Sequence, residues 1–92
     1  MIAVPTDGSA WVTGASSGLG RGMAFRLADT GWRVAASARD AAALSALAAT
    51  PEAAGRIAAF PLDVTQGEAV ARAVDEIEAQ VAPIALALLN AG

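Results

Sequence analysis

Residues 13–20 read Thr13-Gly14-Ala15-Ser16-Ser17-Gly18-Leu19-Gly20, and no other stretch narrows the fold of this chain as much. Just before it, residues 9–13 (S-A-W-V-T) form a short apolar run that reads as a strand. Just behind it, Leu19, Met23 and Leu27 recur at intervals of four, with Arg21, Arg26 and Asp29 off that stripe. This spacing predicts a helix that buries the stripe and stops at Gly31. The chain must therefore turn from strand to helix across the glycines, which permit a tight turn and a close backbone approach to a ligand. The free N–H groups and positive dipole end of the helix face the same loop, an arrangement suited to a pyrophosphate. Ser16 and Ser17 add hydroxyl donors. The spacing is Gly-x-x-x-Gly-x-Gly, not the Gly-x-Gly-x-x-Gly of other dinucleotide folds, and no Gly-Lys-Ser/Thr follows as a P-loop would require.

The same alternation continues to the end of the chain. Residues 32–38 (W-R-V-A-A-S-A) read as a second strand. Asp40 is the expected N-cap of a helix carrying Leu44 and Leu47 and stopping at Thr50-Pro51. Residues 56–62 (R-I-A-A-F-P-L) read as a third strand, with Pro61 inside it. Thr65 and Glu68 match a capping box, and Val70, Val74, Ile77 and Val81 share one face of the helix behind it, expected to be core. Arg72 and Glu76 sit four apart on another face, spaced for a weak pair. Pro83 closes that helix, and residues 84–89 form a near-continuous apolar run, as in a strand buried on both faces of a parallel sheet. The order β-α-β-α-β-α-β predicts a right-handed, parallel α/β layer structure. Trp11 and Trp32 are expected to pack beside the sheet, and Asp75, Glu76 and Glu78 to form a solvated helix face.

Composition removes several functions. The chain has 92 residues, enough for one domain, and 55% of them are hydrophobic, which argues against disorder. Net charge is −3 with no basic stripe, so nucleic-acid binding is not expected. There is no Cys and no His, which excludes disulfides, thiolate metal sites and a serine–histidine triad; no metal site is expected. The first ten residues carry no signal-peptide pattern and the apolar run at residues 84–89 is too short to span a bilayer. The expectation is therefore a cytoplasmic protein without a membrane partner.

Thr-Gly-Ala-Ser-Ser-Gly-Leu-Gly after a first strand resembles the cofactor motif of the short-chain dehydrogenase/reductase family. Two more matches come in order: Asp63-Val64 after the third strand, and Asn90-Ala91-Gly92 at the end of the fourth. The family's Asn-Asn-Ala-Gly reads Leu89-Asn90-Ala91-Gly92 here. The resemblance covers essentially the whole chain. It implies a partial Rossmann-like, doubly wound parallel sheet in strand order 3-2-1-4, residues 1–92 being the N-terminal part of a single NAD(P)-binding domain. It also implies that Gly14, Ser16, Ser17, Gly18, Leu19, Gly20, Asp63, Val64, Asn90, Ala91 and Gly92 contact a dinucleotide, Asp63 at the adenine. In such a sheet the first and fourth strands are neighbours, so the glycine loop and residues 90–92 meet at the switch point.

Cofactor choice rests on the end of the second strand. NAD binders usually place an acid there for the ribose 2′-hydroxyl. Ala38 stands at that position and Arg39 follows, a guanidinium fit to hold a 2′-phosphate, so NADP(H) is expected over NAD(H). Family enzymes use a Ser and a Tyr-x-x-x-Lys further along, and this chain has no Tyr, so no catalytic residue is assigned. A full-length protein would act on a small carbonyl or alcohol and form a homo-oligomer. Alone, the chain would leave its fourth strand as an apolar edge prone to association. Two other readings stand beside this one: a non-catalytic NADP(H)-binding module, and an S-adenosylmethionine methyltransferase suggested by the Gly-x-Gly-x-Gly of Gly18-Leu19-Gly20-Arg21-Gly22. The methyltransferase wants an acid just before the first glycine, where Ser16 and Ser17 stand, and another where Arg39 stands.

Overall fold

The computed structural model describes residues 4–16 and 18–89. Strand β1 (Ser9–Thr13) leads into helix α1 (Gly18–Asp29), strand β2 (Arg33–Ser37) and helix α2 (Ala41–Ala48). A 3-10 turn at Pro51–Ala53, strand β3 (Ile57–Ala59), helix α3 (Gly67–Gln80) and strand β4 (Ile84–Leu88) complete the order. The four strands form one parallel sheet in the order β3-β2-β1-β4, as the alternation and the resemblance imply.

Local chemistry sets most element ends. Asp40 caps α2, its carboxylate accepting the Ala43 N–H at 3.0 Å. Helix α1 ends in a Schellman pattern: the Gly31 N–H donates to Ala28 O at 3.1 Å and the Trp32 N–H to Leu27 O at 3.0 Å. Gly31 has φ +103, which a side chain would strain. The regular part of β3 is shorter than the expected residues 56–62, yet Phe60 N–H donates to Ala36 O and Leu62 N–H to Ala38 O, both at 2.9 Å. Alternate residues of this strand face β2, so the N–H that Pro61 lacks would have pointed to the outer edge of the sheet and no ladder bond is lost.

Two hydrophobic layers flank the sheet. Ala10, Val12, Val34, Ala36 and Ile57 face α1 and α2, joined by Ala24, Ala28, Trp32, Leu44 and Leu47. Trp11, Ala35, Phe60 and Leu62 face α3, where Ala73 and Ile77 close the layer.

The buried line of α1 differs from the expected one. Gly20, Ala24 and Ala28 are buried, whereas Leu19 is 73% exposed. Small residues bring the helix backbone close to the sheet, and the bulky stripe one residue earlier is pushed to the flank. Ala24→Leu is therefore expected to overpack this contact and cost about 1–3 kcal/mol, read as a lower urea midpoint at unchanged slope.

Five other expectations need correction. The N-cap of α3 is Gln66, without a side-chain cap bond, so Thr65 and Glu68 form no capping box. On α3, Ile77 is buried but Val70, Val74 and Val81 are half-buried, because an edge of this layer is open. Strand β4 is likewise half-buried rather than covered on both faces, and among the described residues β1 is its one sheet neighbour. Among the described residues Arg72 and Glu76 form no ion pair. Glu78 is not merely solvated: its carboxylate accepts the Ile84 N–H at 2.9 Å, at the start of the edge strand.

Candidate functional site

All four strands run the same way, so their C-terminal ends gather at one edge of the sheet. The glycine loop, Arg39 and Asp63-Val64 follow β1, β2 and β3 there, as Ala38 and Leu62, one residue before each, are bonded across at 2.9 Å.

The loop after β1 is shaped by its glycines. Gly14 has φ +64 and Gly18 has φ +58, both in the left-handed region. Between them Ala15 is fully buried, and its N–H donates to Ser37 O at 3.1 Å, tying the loop to the end of β2. Ser16 is half-buried in the turn, and Gly18 and Leu19 are exposed at the start of α1. A side-chain carbon added at Gly18 would meet nothing within 4 Å. Backbone conformation, not crowding, requires glycine there, and the space over the first turn of α1 is open. The first N–H groups of that helix have no intrahelical acceptor and point into this space. Ser17, Asn90, Ala91 and Gly92 lie outside the described residues. Val12 of β1 pairs with Leu88 of β4, so the chain reaches Leu89 beside the loop.

Beyond β2, Ala38 is half-buried and Arg39 exposed. The Arg39 guanidinium has no hydrogen bond or ion pair among the described residues; the neighbouring Asp40 is occupied in capping α2. Asp63 is near enough for its charge to feel Arg39. Its Oδ1 accepts two bonds from Thr65, the hydroxyl at 2.6 Å and the backbone N–H at 3.0 Å. The hydroxyl first, and the N–H second, hold the Asp63 carboxyl below the usual carboxylate range; slight desolvation opposes them and Arg39 adds a weaker pull. Asp63 therefore stays ionised at neutral pH. Val64 is 53% exposed beside it.

Two further features border the site. An apolar cleft of about 220 Å³ lies between the start of α1 and the ends of β1 and β4, lined by Val12, Leu19, Gly20, Met23, Leu88 and Leu89. Inside the sheet, the buried Trp11 indole N–H donates to Ser37 Oγ at 2.9 Å. Ser37 thus receives β1 through its side chain and the glycine loop through its carbonyl. Ser37→Ala would leave a buried N–H without an acceptor and is expected to cost about 1–3 kcal/mol. Adding Trp11→Phe should recover part of that loss, which a double-mutant cycle of urea unfolding measures; simple additivity would contradict the coupling. In sequence, Asp63 beside Thr65 reads as a cap of the helix start, but neither the Thr65 hydroxyl bond to Asp63 nor the Trp11–Ser37 pair was foreseen. The Asp-x-Thr spacing of residues 63–65 was the available signal for the first, since aspartate side chains bond the backbone two residues on. Among the described residues no three or more acidic, His or Cys side chains group to hold a metal, and no helix is long and apolar enough to cross a membrane.

A parallel sheet in this order, with a glycine loop entering α1 at its carboxyl edge, agrees with the sequence comparison. Residues 9–92 match the short chain dehydrogenase family. The chain belongs to that family. The chain is 42% identical over 85 residues to an uncharacterized oxidoreductase of Myxococcus xanthus (strain DK1622), covering 91% of the chain and 34% of the relative. It is 41% identical over 78 residues to a (3R)-3-hydroxyacyl-CoA dehydrogenase of Mus musculus, covering 76% of the chain and 30% of that relative. The chain spans about a third of the length of these curated relatives. Short chain dehydrogenases are oxidoreductases that use nicotinamide dinucleotides, which sets aside the methyltransferase reading.

Proposed function

We propose that residues 1–92 are the N-terminal, cofactor-holding part of a Rossmann domain that carries NADP(H) in preference to NAD(H). The reaction served is hydride transfer between the nicotinamide and a carbonyl or alcohol carbon. The printed name of the mouse relative, a hydroxyacyl-CoA dehydrogenase, fits the alcohol side of that class.

The residues present fit such a cofactor. The open space over Gly18 gives a phosphate access to the first N–H groups of α1. In this reading Gly14, Ser16, Ser17, Gly18, Leu19 and Gly20 hold the pyrophosphate. Asp63 and Val64 border the adenine, and Asn90, Ala91 and Gly92 are assigned to cofactor contact as well. When bound, the nicotinamide supplies the redox chemistry; this chain binds and orients it. The chain contains neither Tyr nor Lys, so no proton-transferring residue of the family is assigned within residues 1–92.

The observation that carries the NADP(H) preference is the Arg39 guanidinium just past β2, which makes no hydrogen bond or ion pair among the described residues, with Ala38 rather than an acid before it. A carboxylate there would repel a 2′-phosphate, whereas a guanidinium binds it with charge-assisted bonds. Calorimetric titration of the chain with NADPH and NADH tests this. NADPH should bind roughly ten- to hundredfold more tightly. Equal affinities would overturn the preference, and binding of neither would overturn the cofactor role.

A further inference from the structure

We infer that Thr65 is a positioning residue that fixes the Asp63 carboxylate for the purine amine of the dinucleotide, so that the site selects adenine over 6-oxo purines; this rests on the cofactor reading above. Both bonds from Thr65 fall on the same oxygen, Oδ1, at 2.6 and 3.0 Å. The main chain is held as well, with the Gln66 N–H donating to Asp63 O at 3.0 Å and Leu62 N–H to Ala38 O at 2.9 Å. Two donors on one carboxylate oxygen remove the side chain's rotational freedom. The other oxygen, Oδ2, accepts no bond among the described residues.

The Thr65 hydroxyl is not used to support the helix behind it. Helix α3 starts at Gly67 with no side-chain cap bond, although Thr65 and Glu68 have capping-box spacing. The hydroxyl goes to Asp63 instead. An ionised carboxylate only accepts hydrogen bonds. The exocyclic amine of adenine is a donor and satisfies it. In hypoxanthine a carbonyl oxygen takes that place, and two acceptors face each other. The two bonds from Thr65, the hydroxyl first, hold the Asp63 carboxyl below the usual carboxylate range, so it faces the purine as an acceptor.

The test compares NADPH with its hypoxanthine analogue on the same 92-residue chain, alongside carboxyl NMR of the ligand-free protein. The wild-type chain should prefer NADPH roughly ten- to hundredfold, the usual range for a hydrogen bond to a charged group. Thr65→Val should cut that preference to less than about threefold, and Thr65→Ser should restore it. Without ligand, the Asp63 carboxyl should titrate higher in Thr65→Val than in wild type or Thr65→Ser. Thr65 is exposed, so Thr65→Val is compatible with folding, and Thr65→Ala is a second variant with the same expected loss. A full preference retained in Thr65→Val and Thr65→Ala would overturn the positioning role while leaving the cofactor reading intact. If the wild-type chain bound neither dinucleotide, the cofactor reading would fail and this inference with it.

Discussion

Gly8→Ala is expected to lower the stability of the chain by about 2–4 kcal/mol, and the melting temperature by roughly 10–30 °C. An added side-chain carbon at Gly8 would stand 2.1 Å from the Pro83 carbonyl oxygen, a backbone atom that cannot swing aside. That carbonyl already accepts the Ser9 N–H at 2.7 Å, and the Ser9 hydroxyl donates to Ala82 O at 3.0 Å. These bonds fasten the start of β1 to the start of β4 across more than seventy residues of sequence. The pairing shifts register here, Ser9 opposite Ile84 but Ala10 opposite Leu86, which places Leu86 and Leu88 on the α1 side and Ile84 on the α3 side. Moving Pro83 away disturbs all of this. A domain of this size has a total stability of roughly 5–14 kcal/mol, so the loss is a large fraction of it. Gly22→Ala is the control: it lies in α1, its added carbon meets nothing within 4 Å, and it should stabilise by about 0.5–1 kcal/mol. A Gly8→Ala protein melting within a few degrees of wild type would show that the β1–β4 junction is looser than described.

The largest functional change is expected from exchanging the end of β2. Ala38→Asp with Arg39→Ala removes the guanidinium and installs a carboxylate that accepts from a ribose 2′-hydroxyl and repels a 2′-phosphate. Losing one charge-assisted hydrogen bond is worth about 1.5–3 kcal/mol, or roughly ten- to hundredfold in NADPH affinity. NADH should then become the tighter ligand. Both positions lie before the Asp40 cap, so α2 should be unaffected, and unchanged circular dichroism checks this. If the double variant still preferred NADPH in titration, Arg39 would not be the residue that reads the 2′ position.

The sheet was legible because its cues are local and agree with one another. The apolar run of residues 9–13, the glycines after it, Gly31, Asp40 and Pro83 each mark a boundary by chemistry that acts within a few residues. Parallel order followed from the alternation of strands and helices, and the strand order 3-2-1-4 from the family resemblance. The buried face of α1 was not legible in the same way. Hydrophobicity favours Leu19, Met23 and Leu27, but Gly20, Ala24 and Ala28 are buried because a close helix–sheet approach rewards small side chains. Thr65 and Glu68 matched a capping box, yet the nearer Asp63 carboxylate outcompetes the helix for the Thr65 hydroxyl. The apolar run at residues 84–89 reads as doubly covered, a property that depends on neighbours other than itself; β4 here has β1 on one side. Of the candidate site, the loop and the ends of β2 and β3 do gather at one edge of the sheet, whereas Ser17 and residues 90–92 lie outside the described residues.

The central claim is that this edge of the sheet holds a dinucleotide. Titration of the ¹⁵N-labelled chain with NADPH, followed by amide NMR, tests it most directly. The account predicts saturable shifts at Gly14, Ser16, Gly18, Leu19, Gly20, Arg39, Asp63 and Val64. It also predicts none at the opposite end of the sheet, where Arg33, Gly55, Arg56 and Gln80 border a separate cleft. Shifts confined to that opposite cleft, or no saturable shifts at all, would contradict it.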